Sequence, residues 1–439
     1  MKRYYAGMAF ALLLAVVILW PQLLFAQPAD PGAPDDEVIL VQISDDHITP
    51  DSERGLRNYA RLKELLGIVK TIRPDLLIDT GDLTEHNRPD EYEMYRQAVR
   101  EVGGFSWYPD YGPGISFYPI AGNHDAWGRY PWPTYLGPNS YSLTIGNYRF
   151  IGYSGHPNND IPEAWLEEEM DRSCKDGRPI VMFYHYPPPY PDWDPMGMTE
   201  ESWARVEAIA LKYPVLAYLC GHLHAEHTAI RNASFFVRVS NRVEVGFLTL
   251  YALRGGTINY RTYPSDLVPL IITYPRQYFA GLDYTKTPAE QTKVRVFARV
   301  REGSIIAMTY RLDDGDEISM SPVGEGSPYW EAPLDARAMR GEHSITVSVK
   351  HSYGSWVPEP GYSMKSYFDT EVPVRLASAC ELTATPTATI TPSPTVTDTP
   401  TVTPSPTATM APSNTPTPTT APADPPPVWL PMITLMNEL

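Results

Sequence analysis

The stretch EVILVQISDDHITP, residues 37–50, runs as an apolar strand and stops at two acids and a histidine, Asp45, Asp46 and His47. Four further segments place ligand-type side chains after apolar runs: DTGDLTEHN with Asp82, IAGNHDAW with Asn123, His124 and Asp125, FYHYP with His185, and CGHLHAEH with His222 and His224. In an extended backbone alternate side chains share a face, so Asp45 projects with His47 and His222 with His224, while Asp46 points away. Taken singly, each segment has an ordinary explanation as a turn, a helix cap or a loop histidine. Together they offer carboxylate, imidazole and amide at five strand ends, which is where open α/β sheets bind ligands. Such a mixture suits two transition-metal ions, Mn, Fe or Zn, held about 3.5–4 Å apart. A carboxylate such as Asp82 can bridge the two ions and offset their repulsion, with a hydroxide opposite, since water on even one zinc has a pKa of ~7.

The elements that must position these residues are legible as hydrophobic patterns. Between residue 38 and about 274, the runs VILVQI, LLIDT, SFYPIAG, RFIGYSG, IVMFYH and VLAYLCG predict strands, and LRNYARLKELLGIVKTI predicts an amphipathic helix. The stretch VGFLTLYALRGGTINYRTY predicts a hairpin turning at Gly255 and Gly256, both of which tolerate positive φ. From about Gln291 onward TKVRVFARV, SIIAMTYRL and EHSITVSVK alternate between turns without an intervening helix, the pattern of a small β-sandwich. Residues 383–427 are dominated by Thr and Pro and read as an extended stalk. The apolar PPPVWLPMITLMNEL behind it is too short to span a bilayer and is similar to the sorting tails of surface proteins, which implies cell-surface attachment.

The order Asp-x-His, Gly-Asp, Gly-Asn-His-Asp, His, Gly-His-x-His, carried by SDDHI, TGDLTEHN, AGNHDAW, FYHYP and CGHLHAEH, resembles the calcineurin-like metallophosphoesterase superfamily. The resemblance implies an α/β fold of two facing sheets flanked by helices, α/β/β/α, over residues 36–275. It implies that Asp45, His47, Asp82 and His224 hold one metal and that Asp82, Asn123, His185 and His222 hold the other. His124 falls where the family keeps a substrate-facing histidine near the leaving-group oxygen. In the phosphoprotein phosphatases of this superfamily an aspartate three positions after the bridging one orients that histidine. Glu85 stands there in this chain, so Glu85 or Asp125 takes that role, and the absence of a Gly-Asp-x-x-Asp-Arg-Gly signature argues against a phosphoprotein phosphatase. In layout the chain is similar to the transmembrane protein 62-like branch, where an immunoglobulin-like domain follows the enzyme.

Two folded units and several appendages are therefore expected. They are a leader, or uncleaved anchor, at 1–27, the phosphoesterase domain at 36–275, an immunoglobulin-like sandwich at 286–378, the stalk at 379–427 and the tail at 428–439. The leader places the rest of the chain outside the cytoplasm. A formal charge of -17 leaves no general basic field, so no nucleic-acid scaffold binding is expected. Three cysteines are too few for a disulfide framework, and buried or idle thiols are expected at Cys174, Cys220 and Cys380. The leading function is hydrolysis of phosphate monoesters or diesters. The alternatives are a nucleotide or cyclic-nucleotide phosphodiesterase and an inert surface-binding protein. The aromatic segments at 103–114 and 186–197 either line the pocket or pack on their own rings. The first domain is expected to fold and act on small substrates without the sandwich.

Overall fold

A computed structural model of the chain describes residues 36–370 other than 109, 111, 191–192, 194–196, 233, 265–267 and 353–356. The expected leader, stalk and tail lie outside these residues.

The run EVILVQI forms β1 (Glu37–Ile43), buried along all but its first residue. It pairs in parallel with β2 (Leu76–Asp79) and antiparallel with a strand near residue 250, so both edges are satisfied. A strand covered on both faces reads as a continuous apolar run rather than an alternating one. Short β3 (Phe105–Ser106) and β4 (Ile115–Pro119) extend the sheet. A second sheet contains β5 (Tyr141–Ile145), β6 (Tyr148–Gly152), β7 (Ile180–Phe183), β8 (Val215–Cys220), β9 (His227–Arg231) and β10 (Phe235–Val239), ordered β5-β6-β7-β8-β10-β9. The chain then returns to the first sheet with β11 (Phe247–Arg254) and β12 (Thr257–Pro264), giving the order β12-β11-β1-β2-β4-β3. These last two strands are the expected hairpin: Arg254 pairs with Thr257 around Gly255 and Gly256, whose φ values of 53° and 70° match the favoured two-residue turn.

The two sheets meet through Leu40, Ile78, Phe150, Phe183 and Phe236. Outside the first sheet lie α1 (Glu53–Ile72) and α2 (Pro89–Val102), which bury Leu62, Leu66, Val69 and Tyr95 against Val41 and Leu77. A short α3 (Trp132–Leu136) adds Trp132 to that layer. Outside the second sheet, α4 (Glu163–Lys175) and α5 (Glu200–Ala210) bury Leu166, Met170, Trp203 and Val206 against Met182 and Tyr218. α1 starts where Ser52 accepts a hydrogen bond from the Gly55 N–H and ends at Arg73, whose φ of 51° lets its N–H reach the Val69 carbonyl. The resulting α/β/β/α layering aligns the C-terminal ends of β1, β2 and β4 beside those of β7 and β8.

The C-terminal region is all β. It comprises β13 (Leu270–Tyr274), β14 (Thr287–Pro288), β15 (Gln291–Ala298), β16 (Ile305–Leu312), β17 (Glu317–Ser319), β18 (Ser321–Pro322), β19 (Tyr329–Asp335), β20 (Gly341–His351) and β21 (Val357–Asp369). These strands make two sheets, β13-β15-β19-β18 and β14-β21-β20-β16-β17, around Ile272, Val296, Met308, Leu334, Val347 and Met364. β13 lies inside the range expected for the first domain, yet it pairs antiparallel with β15 and contributes Leu270 and Ile272 to this second core. Ile271 faces the other way and joins Phe297 and Tyr329 in the core beneath the first domain's helices. The Asn259 amide of β12 donates to the carbonyls of Ile272 and Pro275 at 2.8 and 3.0 Å. β13 thus ties the region expected to fold alone to the β-rich region, and a chain ending before β15 would leave β13 without its partner and uncover apolar surface on both sides of it. The pattern LIITY carries no sign of which sheet the strand joins. The expectation of buried or idle thiols holds at Cys220, a free, buried thiol, and is corrected at Cys174, which is disulfide-bonded; Cys380 lies outside the described residues.

Candidate metal centre

Beyond Ile43 the backbone ceases to be extended. Asp45 and His47 take φ values of 58° and 48°, and Asp82, His222 and His224 likewise sit at 59°, 73° and 55°. The period-of-two argument therefore selects side chains that do converge, but by the wrong geometry: left-handed residues, not a continued strand, turn Asp45 and His47 inward. Such conformations cost of order 1–3 kcal/mol each in non-glycine residues and persist where surrounding structure imposes them. Here the first two loops hold each other, with N–H groups of Asp45, His47 and Ile48 donating to carbonyls of Gly81, Asp82 and Leu83 at 2.9–3.0 Å. Glycine in two motifs has a steric reason. A Cβ on Gly122 would lie 2.1 Å from Asp82 Oδ1, and one on Gly221 would lie 2.0 Å from Ser44 Oγ.

The expected ligands converge. Donor atoms of Asp45, His47, Asp82 and His224 all lie within 4.8 Å of one another, as do those of Asp82, His185 and His222. Asn123 joins the second group, its Oδ1 3.1 Å from His185 Nε2. Asp82 is the residue common to both groups. Its carboxylate is 3.2 Å from His185 Nε2 and 3.9 Å from His47 Nε2, and its Oδ1 accepts the His124 N–H at 2.8 Å. His47 and His224 bring their Nε2 atoms to 2.9 Å, and His224 Nε2 lies 3.4 Å from Asp45 Oδ1. The His222 N–H donates to both oxygens of Asp45 at 3.0 and 3.1 Å.

These rings are aimed from behind. His185 Nδ1 donates to the Thr80 carbonyl at 2.8 Å, which turns Nε2 toward Asp82. His47 Nδ1 lies 3.1 Å from the Glu85 carboxylate, so its Nε2 faces the cluster as well. Holding one ring nitrogen in this way orients the ring and leaves the other nitrogen facing the cluster.

Burial alone would raise the Asp82 carboxyl, but the charges of His185, His47 and His124 hold it well below the usual carboxylate range. For Asp45, burial is outweighed by the hydrogen bond from His224 and the charge of His185, so this carboxyl is also lowered. Burial would lower His185, yet Asp82 beside it lifts its pKa to about 9. The cluster thus draws positive charge, and a proton on His185 fills the role of a cation. Facing imidazole nitrogens 2.9 Å apart, two carboxylates and an amide form a donor set that fits Mn, Fe or Zn.

The other expected residues fall nearby with different partners. The His124 ring is held by the main chain of Glu85, its Nδ1 donating to that carbonyl at 2.7 Å, and its side chain is 34% exposed at the edge of the cluster. The Glu85 carboxylate is 4.0 Å from His124 but 3.1 Å from His47, so its side chain serves chiefly the metal-facing ring. Asp125 does not orient His124. Its buried carboxylate accepts N–H bonds from Leu83, Thr84 and Gly122 and the Thr84 hydroxyl, stitching two loops together. Asp46 points away as expected, into full burial and with neither carboxylate oxygen hydrogen-bonded. That burial, with the charge of Asp79, raises its carboxyl well above the usual range.

Of the two aromatic segments, the one at 186–197 reaches the centre. The Tyr186 ring lies tilted 4.6 Å from the His222 ring, and its hydroxyl accepts from Trp127 Nε1 at 2.9 Å. Trp127 was visible in AGNHDAW, three positions after His124, but nothing in its spacing marked it. The segment at 103–114 instead packs inward, Trp107 stacking on Phe117 in the core.

The calcineurin-like phosphoesterase family matches residues 39–226, which contain every expected ligand. A probable glycerophosphodiester phosphodiesterase of Arcobacter nitrofigilis is 27% identical over 44% of this chain and 75% of its own. A probable cyclic nucleotide phosphodiesterase of Synechococcus is 29% identical over 45% of this chain and 78% of its own. Another probable cyclic nucleotide phosphodiesterase, from Rhodococcus erythropolis, is 30% identical over 45% of this chain and 68% of its own. All three matches cover under half of the present chain, leaving room for a β-rich region outside them. Family match, relatives and converging donors agree, and this chain belongs to the calcineurin-like metallophosphoesterases, hydrolases that use two transition-metal ions.

Proposed function

We propose that the chain hydrolyses phosphodiesters outside the cytoplasm, with glycerophosphodiesters and cyclic nucleotides as the substrate classes suggested by its relatives. The observation that carries this reading is the single Asp82 carboxylate standing in both donor groups. Asp45, His47, Asp82 and His224 would hold one metal, and Asp82, Asn123, His185 and His222 the other. When bound, the metals neutralise phosphoryl oxygens and lower the pKa of water so that it attacks phosphorus near neutral pH. The chain's own residues do the rest. Glu85 and the Thr80 carbonyl fix the ligand rings, and His124, whose pKa burial would lower but Asp82 raises, keeps Nδ1–H on the Glu85 carbonyl and in its imidazolium form gives its Nε2 proton to the leaving oxygen. Trp127 and Tyr186 wall the side of the centre next to His222.

The location rests on the leader-like residues 1–27 and on the disulfide at Cys174, a bond that persists in oxidising compartments. We read the C-terminal β region as immunoglobulin-like, the overall layout as that of the transmembrane protein 62-like branch, and residues 379–439 as a stalk and surface-attachment tail. The deciding assay offers bis(p-nitrophenyl) phosphate, cyclic AMP, a glycerophosphodiester and p-nitrophenyl phosphate with Mn, Zn or Fe added separately. Diesters should turn over faster than the monoester; monoester preference with every metal would refute the assignment. Fractionation of expressing cells tests the location, and recovery only from cytoplasm would refute that part.

A further inference from the structure

A cavity of about 900 Å³ opens between α1 and the loops of the C-terminal β region. Among the described residues it is lined by five cations, Lys63, Lys70, Arg73, Arg299 and Arg301, against one carboxylate, Glu325. That local excess stands out on a chain whose formal charge is -17. Lys63 is answered by Glu101, and Lys70 donates to the Val102 carbonyl at 2.8 Å. Arg73 and Arg301 are exposed and make no ion pair among the described residues. Lys70 and Arg73 alone have an ordinary reason, because cations at a helix C-terminus complement its dipole. Arg301 has none: it comes from the loop after β15 together with Arg299, which lies over the Phe297 ring, and both line the cavity with the helix end. Like charges brought together by two separate elements repel unless an anion lies between them.

The cavity is remote from the metal centre. α1 begins next to the Asp45–His47 loop and carries the cations at its other end, so its 20 residues put roughly 30 Å between Arg73 and the end nearest the metals. Five cations against one carboxylate exceed the charge that one tetrahedral anion would neutralise. Trp330, at the floor, is only 9% exposed and presents no free face for stacking a base, so the groove can read charge along a backbone and little else.

We propose that this groove binds the backbone of a phosphodiester polymer and docks the enzyme on it at a distance from the catalytic centre. The choice of phosphodiester over sulfate ester rests on the proposed activity; the charge argument does not.

The test uses the full chain and a dye-labelled abasic phosphodiester hexamer, with fluorescence anisotropy at several salt concentrations. The hexamer should bind, and the double variant Arg73→Ser, Arg301→Ser should bind at least tenfold more weakly. Two lost contacts should also flatten the slope of log K against log salt by about 1.4, taking about 0.7 per cation on a single strand. Turnover of bis(p-nitrophenyl) phosphate should be unchanged in that variant. Glu325→Gln, which removes the opposing charge, should tighten binding, an effect that misfolding cannot mimic. A thymidine hexamer should bind as the abasic one does. Unchanged affinity in the double variant, no gain in Glu325→Gln, or loss of binding in Asp82→Asn would overturn the proposal, the last by placing the hexamer at the metals. Tighter binding of a sulfated pentasaccharide would overturn the phosphodiester assignment. Failure of the diester turnover assay with binding intact would count against the proposed activity and leave the groove standing.

Discussion

Replacing Asp82 by Asn changes one charge and almost no volume at the residue shared by both donor groups. Asp82 is 1% exposed, so solvent does little to screen the loss. Its carboxylate stands 3.2 Å from His185 Nε2, and at that distance one unit of charge is worth about 5 kcal/mol at an effective dielectric constant of 20. A divalent ion held by the same carboxylate loses at least as much, and at 1.4 kcal/mol per tenfold this is more than three decades in affinity for each ion. The fold should survive, because the Asn oxygen can still accept the His124 N–H that Oδ1 accepts at 2.8 Å. Metal content after gel filtration, measured by mass spectrometry, should fall from two ions per chain to one or fewer. The kcat/KM for bis(p-nitrophenyl) phosphate should fall at least about a thousandfold, in line with the lost affinity. A variant that keeps both ions and full turnover would show that Asp82 does not bridge them and would refute the shared-carboxylate reading.

Asp45→Asn should abolish most activity, whereas Asp46→Asn, replacing a carboxyl that stands outside both donor groups and whose charged form burial and Asp79 disfavour, should change kcat/KM by less than about threefold; equal losses would refute the distinction. His124→Ala should keep both metals and slow substrates with alkoxide leaving groups far more than nitrophenyl ones, and a uniform loss would point to charge stabilisation instead. In the metal-free protein His185 stays protonated below about 9, while its metal-binding form is neutral. Metal binding at pH 7 should therefore release close to one proton from this residue, a release that disappears as pH rises past 9, measurable by calorimetry in buffers of different ionisation enthalpy; pH-independent release would refute it. A chain ending at residue 285 should aggregate or melt well below full length, since β13 loses β15 and Ile271 loses Phe297 and Tyr329; a soluble truncation with unchanged melting temperature would show the two regions to be independent.

Residue type and order were enough to collect the side chains whose donor atoms converge. Acids, imidazoles and an amide after buried runs are recognisable because a strand covered on both faces must be continuously apolar and must end abruptly at polar groups. The hairpin at Gly255 and Gly256 was legible for an equally local reason, the positive φ its turn demands. Other features depend on contacts between residues far apart in the chain. The left-handed backbone at Asp45 and His47 is imposed by the Gly81–Leu83 loop, so a rule for extended chains could select the residues without describing them. Glu85 reaches His47 across 38 positions, and its carbonyl rather than its carboxylate holds His124. β13 has the same alternation whichever sheet it joins, and only the partner strand decides. The cations on α1 and on the loop after β15 are unremarkable in their own segments and become a binding groove only where packing sets them face to face. Local pattern records what a segment is able to bury or to bind. Which segments meet is set by burial summed over the whole chain, and that sum is available only in the folded structure.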